Sequence, residues 1–171
     1  MEIIHHAYPV KIFTPTRKFE GVYQPVGALL GDINDPEKGD FYLTEATFAS
    51  LAQDSKLPPV SVPEVVVRKH DVIFFYFEDE SANEQVRLLV RPEEIVVYTA
   101  AFALRGNFHL GVEQRVRDMF DAVRGDFQPM TNITIFPLFQ PRVAIPREQK
   151  MLLINTKNIQ LYHPVVAEET E

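Results

Sequence analysis

The chain has 171 residues, of which 46% are hydrophobic and 24% charged, with 13 Pro, 7 Gly and neither Cys nor Trp. This composition excludes a disordered chain, a collagen and a disulfide-stapled scaffold, and is typical of a globular protein. The net charge is −7, and the acidic excess lies in residues 1–85, which carry 7 basic and 14 acidic residues, so broad binding to nucleic acid or an anionic membrane is disfavoured.

The start of the chain lacks the features of a targeting segment. Residues 1–6 have no basic region followed by a long apolar run, and no stretch of about 18 apolar residues occurs anywhere. The absence of Cys agrees with a reducing compartment. We therefore expect a cytoplasmic protein that does not bind a membrane.

The first half of the sequence is mostly β in pattern. Residues 10–13 and 19–23 are rich in β-branched and aromatic residues and predict a hairpin, in which Gly21 marks a bulge or a strong bend. A short helix broken by Gly and Pro is expected over 29–36, followed by a third strand at 41–44.

A Pro-rich segment, 57–63, predicts an edge strand or an extended loop, because proline cannot occupy a central position of a sheet. Strands are expected at 65–68 and 72–77, separated by a tight polar turn at 69–71. Residues 80–91 form a connector in which 86–90 can make a further strand.

The second half repeats this order. Residues 95–98 and 104–110 predict a second hairpin, with Gly106 in the place of Gly21. Residues 112–125 have apolar positions at spacings of four, three and four and predict an amphipathic helix ended by Gly125. A third strand is expected at 133–136, followed by a Pro-rich stretch at 136–146. Two strands, at 150–155 and 159–162, surround a tight turn, and residues 165–171 form an acidic tail that frays.

The two halves match in sequence at a nearly constant offset. A shift of 85 superposes 10–14 on 95–99, a shift of 86 superposes 39–41 on 125–127, and the closing strands match at a shift of 87. Three blocks in the same order indicate an internal duplication. The expected organisation is a first unit at 8–79, a connector at 80–91, a second unit at 92–164 and a tail at 165–171.

Five short, bent strands per unit predict a small barrel, because closure removes exposed strand edges. The expected fold is mainly β with short helices, as two tandem SH3-like or Sm-like barrel units. The order of elements resembles that of Sm-like proteins in three places: the block before Gly21, the strand at 41–44 and the closing strand–turn–strand. In addition, residues 67–72 are similar to the Lys-His turn of the bacterial RNA-binding members of that family. The resemblance implies that Lys69 and His70 contact RNA; the second unit has Thr156 and Lys157 at that place.

The sequence contains no pattern typical of a catalytic, cofactor or metal site. The five His residues do not pair with His, Cys or carboxylates at a metal-ligand spacing. Three aspartates, at 32, 35 and 40, recur at 118, 121 and 126, and we assign them to surface helix and cap positions rather than to catalysis. No enzyme activity, cofactor or metal is expected.

The dense aromatic run at 74–77 suggests where a partner could bind. Because side chains alternate along a strand, two of these four rings would point into the core of the first unit. The other two would be exposed or covered by the second unit. We expect a non-enzymatic interaction or regulatory module that binds a protein or peptide partner in a groove between the units, where Phe75 and Phe77 lie.

Two alternatives remain open. The first is an Sm-like RNA-binding protein, in which further phosphate contacts come from Arg105, Arg115, Arg117 and Arg124 beside Lys69 and His70. The second is a sensor of a small ligand. Each of the three functions is compatible with an oligomer.

Overall fold

The computed structural model describes residues 6–122 and 125–166. Within these residues, ten antiparallel strands form one open sheet, accompanied by three short α-helices. The expected mainly β class with short helices is confirmed. None of the helices in the described part of the chain is long and apolar enough to cross a membrane.

The first half contributes five strands. They are β1 (Tyr8–Phe13), β2 (Arg17–Tyr23), β3 (Asp40–Ser50), β4 (Val60–Arg68) and β5 (Phe74–Phe77). Helix α1 (Leu29–Ile33) joins β2 to β3, and a single 3-10 turn (Lys69–Asp71) joins β4 to β5. Strand β3 is much longer than the sequence predicts, because it pairs along its length with both β2 and β4.

The second half begins after helix α2 (Glu80–Glu84). Its strands are β6 (Arg91–Tyr98), β7 (Phe102–Leu110), β8 (Phe127–Pro137), β9 (Glu148–Asn155) and β10 (Leu161–Pro164). Helix α3 (Val116–Ala122) starts later than predicted, since the amide of Arg115 donates to the Asp118 side chain and residues 112–113 form a turn. Residues 86–90 form a loop, so the strand expected there was wrong.

The strands lie in the order β10-β6-β7-β8-β9-β5-β1-β2-β3-β4. The first half therefore runs 5-1-2-3-4, and the second half repeats this order as 10-6-7-8-9. The halves are joined where β5 pairs with β9, with Phe74 opposite Ile154 and Phe75 opposite Leu153. The result is one open sheet with edges at β4 and β10, so the expected closure of two separate barrels is not confirmed.

Both predicted glycine bulges are present. The pairing of β2 with β3 shifts register at Gly21, and that of β7 with β8 shifts at Gly106. A Cβ at either glycine would lie 3.0 Å from a carbonyl oxygen of the neighbouring strand. Opposite the two bulges, Glu45 and Asn132 have positive φ angles of 50° and 52°. These paired distortions bend β3 and β8 at corresponding places.

The buried side chains form two clusters, one built mainly from each half. Strands β5 and β9 lie between the clusters and contribute to both. Phe75 and Phe77 point into the first cluster, whereas Phe74 and Tyr76 point into the second. All four aromatic side chains of β5 are consequently buried, as expected if the two units pack against each other.

Candidate functional site: a cleft between the two halves

A cavity with a volume of about 1090 Å³ lies where the two halves meet. We call it the junction cleft. One wall comes from α1, the loop after it and the turn Lys69–Asp71; the other comes from residues 125–129 and the turn Thr156–Asn158. Its basic lining side chains are Lys38, Arg68, Lys69, Arg87 and Lys157, together with His70 and His109.

Asn34 fixes one end of the cleft by bridging the halves. Its amide Nδ2 donates to the carbonyl of Phe127 at 3.1 Å, and its Oδ1 accepts from the amide of Phe127 at 2.9 Å. Gly125 allows this close approach, because it has a φ of +99° and an added Cβ would lie only 2.5 Å from Asn34 Cγ. The wall geometry thus depends on a glycine in the left-handed region.

The two 3-10 turns are also bonded to each other. The Asn158 side chain donates to the carbonyls of His70 at 2.9 Å and Val72 at 2.7 Å, and the Asn155 side chain donates to the Lys69 carbonyl at 3.3 Å. The backbone of the Lys69–Asp71 turn is therefore held from the second half. Lys69 and His70, which the sequence singled out, lie together in the cleft.

The cleft is basic in an acidic protein. Five Lys and Arg side chains line it, against the two carboxylates of Asp35 and Asp126. Three of the cations are paired: Lys38 with Asp32, Arg68 Nε with Asp40 Oδ1 at 2.9 Å, and Lys157 Nζ with Asp126 Oδ1 at 3.2 Å.

Two cleft cations have no such pair. Among the described residues, no carboxylate lies within 4.0 Å of Lys69 Nζ or of the Arg87 guanidinium. A basic cleft with unpaired cations is suited to an anionic ligand.

Lys69 is the most enclosed of these cations. Its Nζ donates to the backbone carbonyl of Asp32 at 3.4 Å and lies 5.1 Å from the centre of the Phe41 ring. Burial lowers the pKa of Lys69, although the carboxylates of Asp32 and Asp35 act in the opposite direction. A bound carboxylate would favour the charged amine. His70 is exposed, with Nε2 3.4 Å from Asp71 Oδ1.

A buried polar cluster supports the α1 wall, and its central residue was wrongly assigned to the surface. Asp32 is only 7% exposed and accepts hydrogen bonds from the Tyr23 hydroxyl and from Lys38. Burial alone would raise the pKa of Asp32, but these two donors outweigh it and hold the pKa below its ordinary value. Burial and the neighbouring carboxylate raise the pKa of Tyr23. The sequence marked this aspartate only by its recurrence at 118, and the short, broken helix that contains it gave no sign of its burial.

Phe75 and Phe77 do not line the junction cleft. Both side chains are buried in the first cluster, because β1 and β9 pair with the two edges of β5 and the two clusters cover its faces. Phe77 also lines a separate cavity of about 500 Å³, together with Tyr76 and residues of the second half.

The predicted arginines also lie elsewhere. Arg105 pairs with Glu94 and Arg115 pairs with Asp118; neither these arginines nor Arg117 lines the cleft. Arg124 lies outside the described residues. The sequence did not indicate Lys38, Arg68 or Arg87 as site residues. The pairing of β3 with β4 brings Lys38 and Arg68 together within the first half, and Arg87 joins them from the loop after α2.

No family model, no curated protein and no solved structure matches this chain. Across residues 6–122 and 125–166, no group of three His, Cys, Asp or Glu side chains is placed to hold a metal ion.

Proposed function

We propose that this protein is a non-enzymatic binding module that holds an acidic peptide segment of a partner protein in the junction cleft. The observation that carries this proposal is the presence in the cleft of two cations, Lys69 and Arg87, that no described carboxylate pairs, in a chain whose net charge is −7. Carboxylates bind such cations through charge-assisted hydrogen bonds, which are stronger than neutral ones. The opposite charge of cleft and partner also speeds their encounter.

Apolar side chains at the cleft favour a peptide over a smaller ligand. Leu89 lies beside Arg87 with its side chain exposed, and Leu30 lines the same cavity from α1. A volume of about 1090 Å³ is at the upper end of the range for small-molecule sites. A segment with both acidic and apolar side chains matches this lining.

The proposal can be tested with model peptides by fluorescence anisotropy. The probes are labelled peptides of alternating Glu and Leu, and the same peptides with Gln in place of Glu. We expect the Glu peptide alone to bind, with an affinity that falls as salt is added, because the cations are exposed to solvent. Failure of the Glu peptide to bind, or equal binding of the Gln peptide, would contradict the proposal.

Matched variants locate the site. Lys69→Ala plus Arg87→Ala removes two cleft cations, and Arg105→Ala plus Arg117→Ala removes the same charge outside the cleft. We expect the cleft variant to lose about tenfold or more in affinity, since each charge-assisted hydrogen bond contributes roughly 1.5–3 kcal/mol. The control should change by less than about twofold. Equal losses in both would show that only net charge matters.

Single-stranded RNA is a second candidate, because Lys69 and His70 lie in the same cleft. Single-strand recognition uses exposed aromatic rings for base stacking. The Phe127 ring that lines the cleft is buried, so His70 is the exposed ring offered for stacking in the described cleft. Tighter binding of a labelled oligouridine than of the Glu peptide, lost on Lys69→Ala plus His70→Ala, would favour RNA.

We also propose that the chain arose by duplication of a five-stranded, barrel-like unit, with copies at 8–79 and 92–164. The repeated strand order and the matching bulges at Gly21 and Gly106 support this origin. The positive φ angles of Glu45 and Asn132, which lie opposite the bulges, support it independently of the sequence match.

A further inference from the structure

The open sheet has two edges, β4 at one end and β10 at the other, and neither strand pairs on its outer side with any described residue. Edge strands carry unpaired backbone N–H and C=O groups that can pair with another chain. The pairing of β5 with β9, which we call the internal junction, is an example of such pairing between the two halves of one chain.

Strand β10 occupies in the second half the place that β5 occupies in the first. Phe74 lies opposite Phe13 of β1, and Leu161 lies opposite Tyr98 of β6. Phe13 and Tyr98 hold equivalent places, because each follows by three residues the residue that lies opposite a bulge glycine. These two residues are Val10 and Ile95. Leu161 therefore corresponds to Phe74.

Strand β4 corresponds in the same way to β9. Thr44 and Thr131 have carbonyls that contact the two bulge glycines, and they lie opposite Glu64 and Met151. Glu64 is therefore equivalent to Met151. Two residues further along each strand, Val66 corresponds to Leu153, and the next residues, 67 and 154, also correspond. The outer edges β10 and β4 are thus equivalents of the two strands that already pair inside the chain.

Side chains on the two edge strands are more exposed than their equivalents at the internal junction. At the internal junction, Phe74 points into the second cluster and is 0% exposed, and Leu153 points into the first cluster and is 1% exposed. Each side chain is buried by the other half. Their equivalents Leu161 and Val66 are both 54% exposed, because no other half covers them.

A pocket of about 490 Å³ lies beside β10 and is lined by Phe120, Ile159, Leu161 and Tyr162. Its aromatic rings, Phe120 and Tyr162, are stacked with centroids 4.7 Å apart. The polar residues Thr156, Lys157 and Gln160 complete its lining. By the correspondence of β4 with β9, the pocket is where Val66 of another molecule would be placed.

We propose that β10 of one molecule pairs antiparallel with β4 of a second molecule, in the register of the internal junction. Leu161 then lies opposite Val67, and Tyr162 lies opposite Val66. The pairing covers residues between the edge prolines, Pro63 and Pro164, so neither proline interrupts it. The contact is head-to-tail, because the two molecules contribute different strands.

The turns at the ends of these strands differ in one respect from those at the internal junction. Asp71, beside β4, takes the place of Asn158, whose side chain donates at the internal junction to the carbonyls of His70 and Val72. A carboxylate cannot donate these bonds, so the proposed contact depends on strand pairing and on the apolar side chains.

Native mass spectrometry and analytical ultracentrifugation over a concentration series test the proposal. We expect the wild-type chain to associate, and Val66→Arg or Leu161→Arg to raise the midpoint concentration at least about tenfold, because each buries a charge in the contact. Val26→Arg, at an exposed valine outside both edges, is the matched control and should associate like the wild type. Circular dichroism checks that each variant is folded.

Mixing the two edge variants distinguishes a head-to-tail contact from other self-association. Val66→Arg keeps an intact β10, and Leu161→Arg keeps an intact β4, so the mixture should form a one-to-one pair and nothing larger. A wild-type chain that stays monomeric up to hundreds of micromolar overturns the proposal. So does association that survives either edge substitution, or a mixture that remains monomeric.

Discussion

The two halves share a strand order but surround their helices differently. In the first half, the Tyr23 hydroxyl donates to Asp32 of α1, which is buried and also bonded to Lys38. In the second half, Phe108 occupies the place of Tyr23 and packs edge-to-face on Phe120 of α3, at a centroid distance of 5.8 Å. One backbone arrangement thus accommodates either a buried polar cluster or an apolar contact, provided that every buried polar group has a partner.

The halves differ equally at their outer strands. Phe74 in β5 is buried because the second half lies against it, whereas its equivalent Leu161 in β10 is exposed. The same position in the fold is therefore part of the core in one half and part of the surface in the other. Substitutions at matched positions measure these differences directly.

The largest difference is expected at the junction strand. Phe74→Ala should lower the free energy of unfolding by about 3–5 kcal/mol, because it removes a fully buried ring and leaves a cavity. Leu161→Ala should change it by less than about 0.5 kcal/mol. Urea unfolding at low protein concentration measures both. Similar losses at the two positions would mean that the junction does not distinguish the halves.

An intermediate difference is expected at two glycines that precede the third strand of each half. Gly125→Ala should cost about 1–3 kcal/mol, since Gly125 has a φ of +99° and a Cβ there would displace Asn34 from Phe127. Gly39→Ala should have little effect, because nothing lies within 4 Å of its added Cβ. Thermal unfolding of both variants provides the measurement, and a neutral Gly125→Ala would refute the role assigned to the Asn34 bridge.

The smallest difference is expected in the pH dependence of stability. The pKa of Asp32 is lowered in the folded protein, so its ionised form stabilises the fold above the pKa of an unfolded Asp, about 3.9, and this contribution is lost as the pH falls through the folded value. Asp32→Asn should therefore flatten the fall in unfolding free energy at acidic pH.

Asp118→Asn is the control for this pH dependence. Its carboxylate pairs with Arg115 at an exposed site where solvent and salt screen the charges, so its effect should be smaller and should vanish at high salt. Equal flattening by both substitutions, measured by urea unfolding across the acidic range, would argue against a distinct role for the buried cluster.

Local pattern predicted the local structure well. The hairpins of β1 with β2 and β6 with β7 follow from runs of β-branched residues, and both bulges follow from single glycines within strands. The Pro-rich segment at 57–63 leads into an edge strand, as proline requires. These features depend on residues close together in the chain.

Features that depend on distant residues could not be predicted. Phe75 was expected in a groove, but β9 covers its strand from about 80 residues away. The sequence match places residue 41 on Phe127, but the strand pairing does not. Phe41 lies opposite Val67, which is equivalent to residue 154, whereas Phe127 lies opposite Asn155 and packs in the first cluster. The cleft cations likewise come from separate segments: the pairing of β3 with β4 groups Lys38, Arg68 and Lys69, and the meeting of the halves adds Lys157.

The pairing of β5 with β9 also has a consequence for synthesis of the protein. Phe74 and Tyr76 leave the ribosome about 80 residues before the strand that covers them. At a translation rate of roughly 5–20 residues per second, the nascent first half exposes an aromatic strand edge for several seconds or more. Such an edge is a template for aggregation. The nascent chain should therefore depend on chaperones most strongly during that interval, and slower translation of the second half should lower the yield of soluble protein.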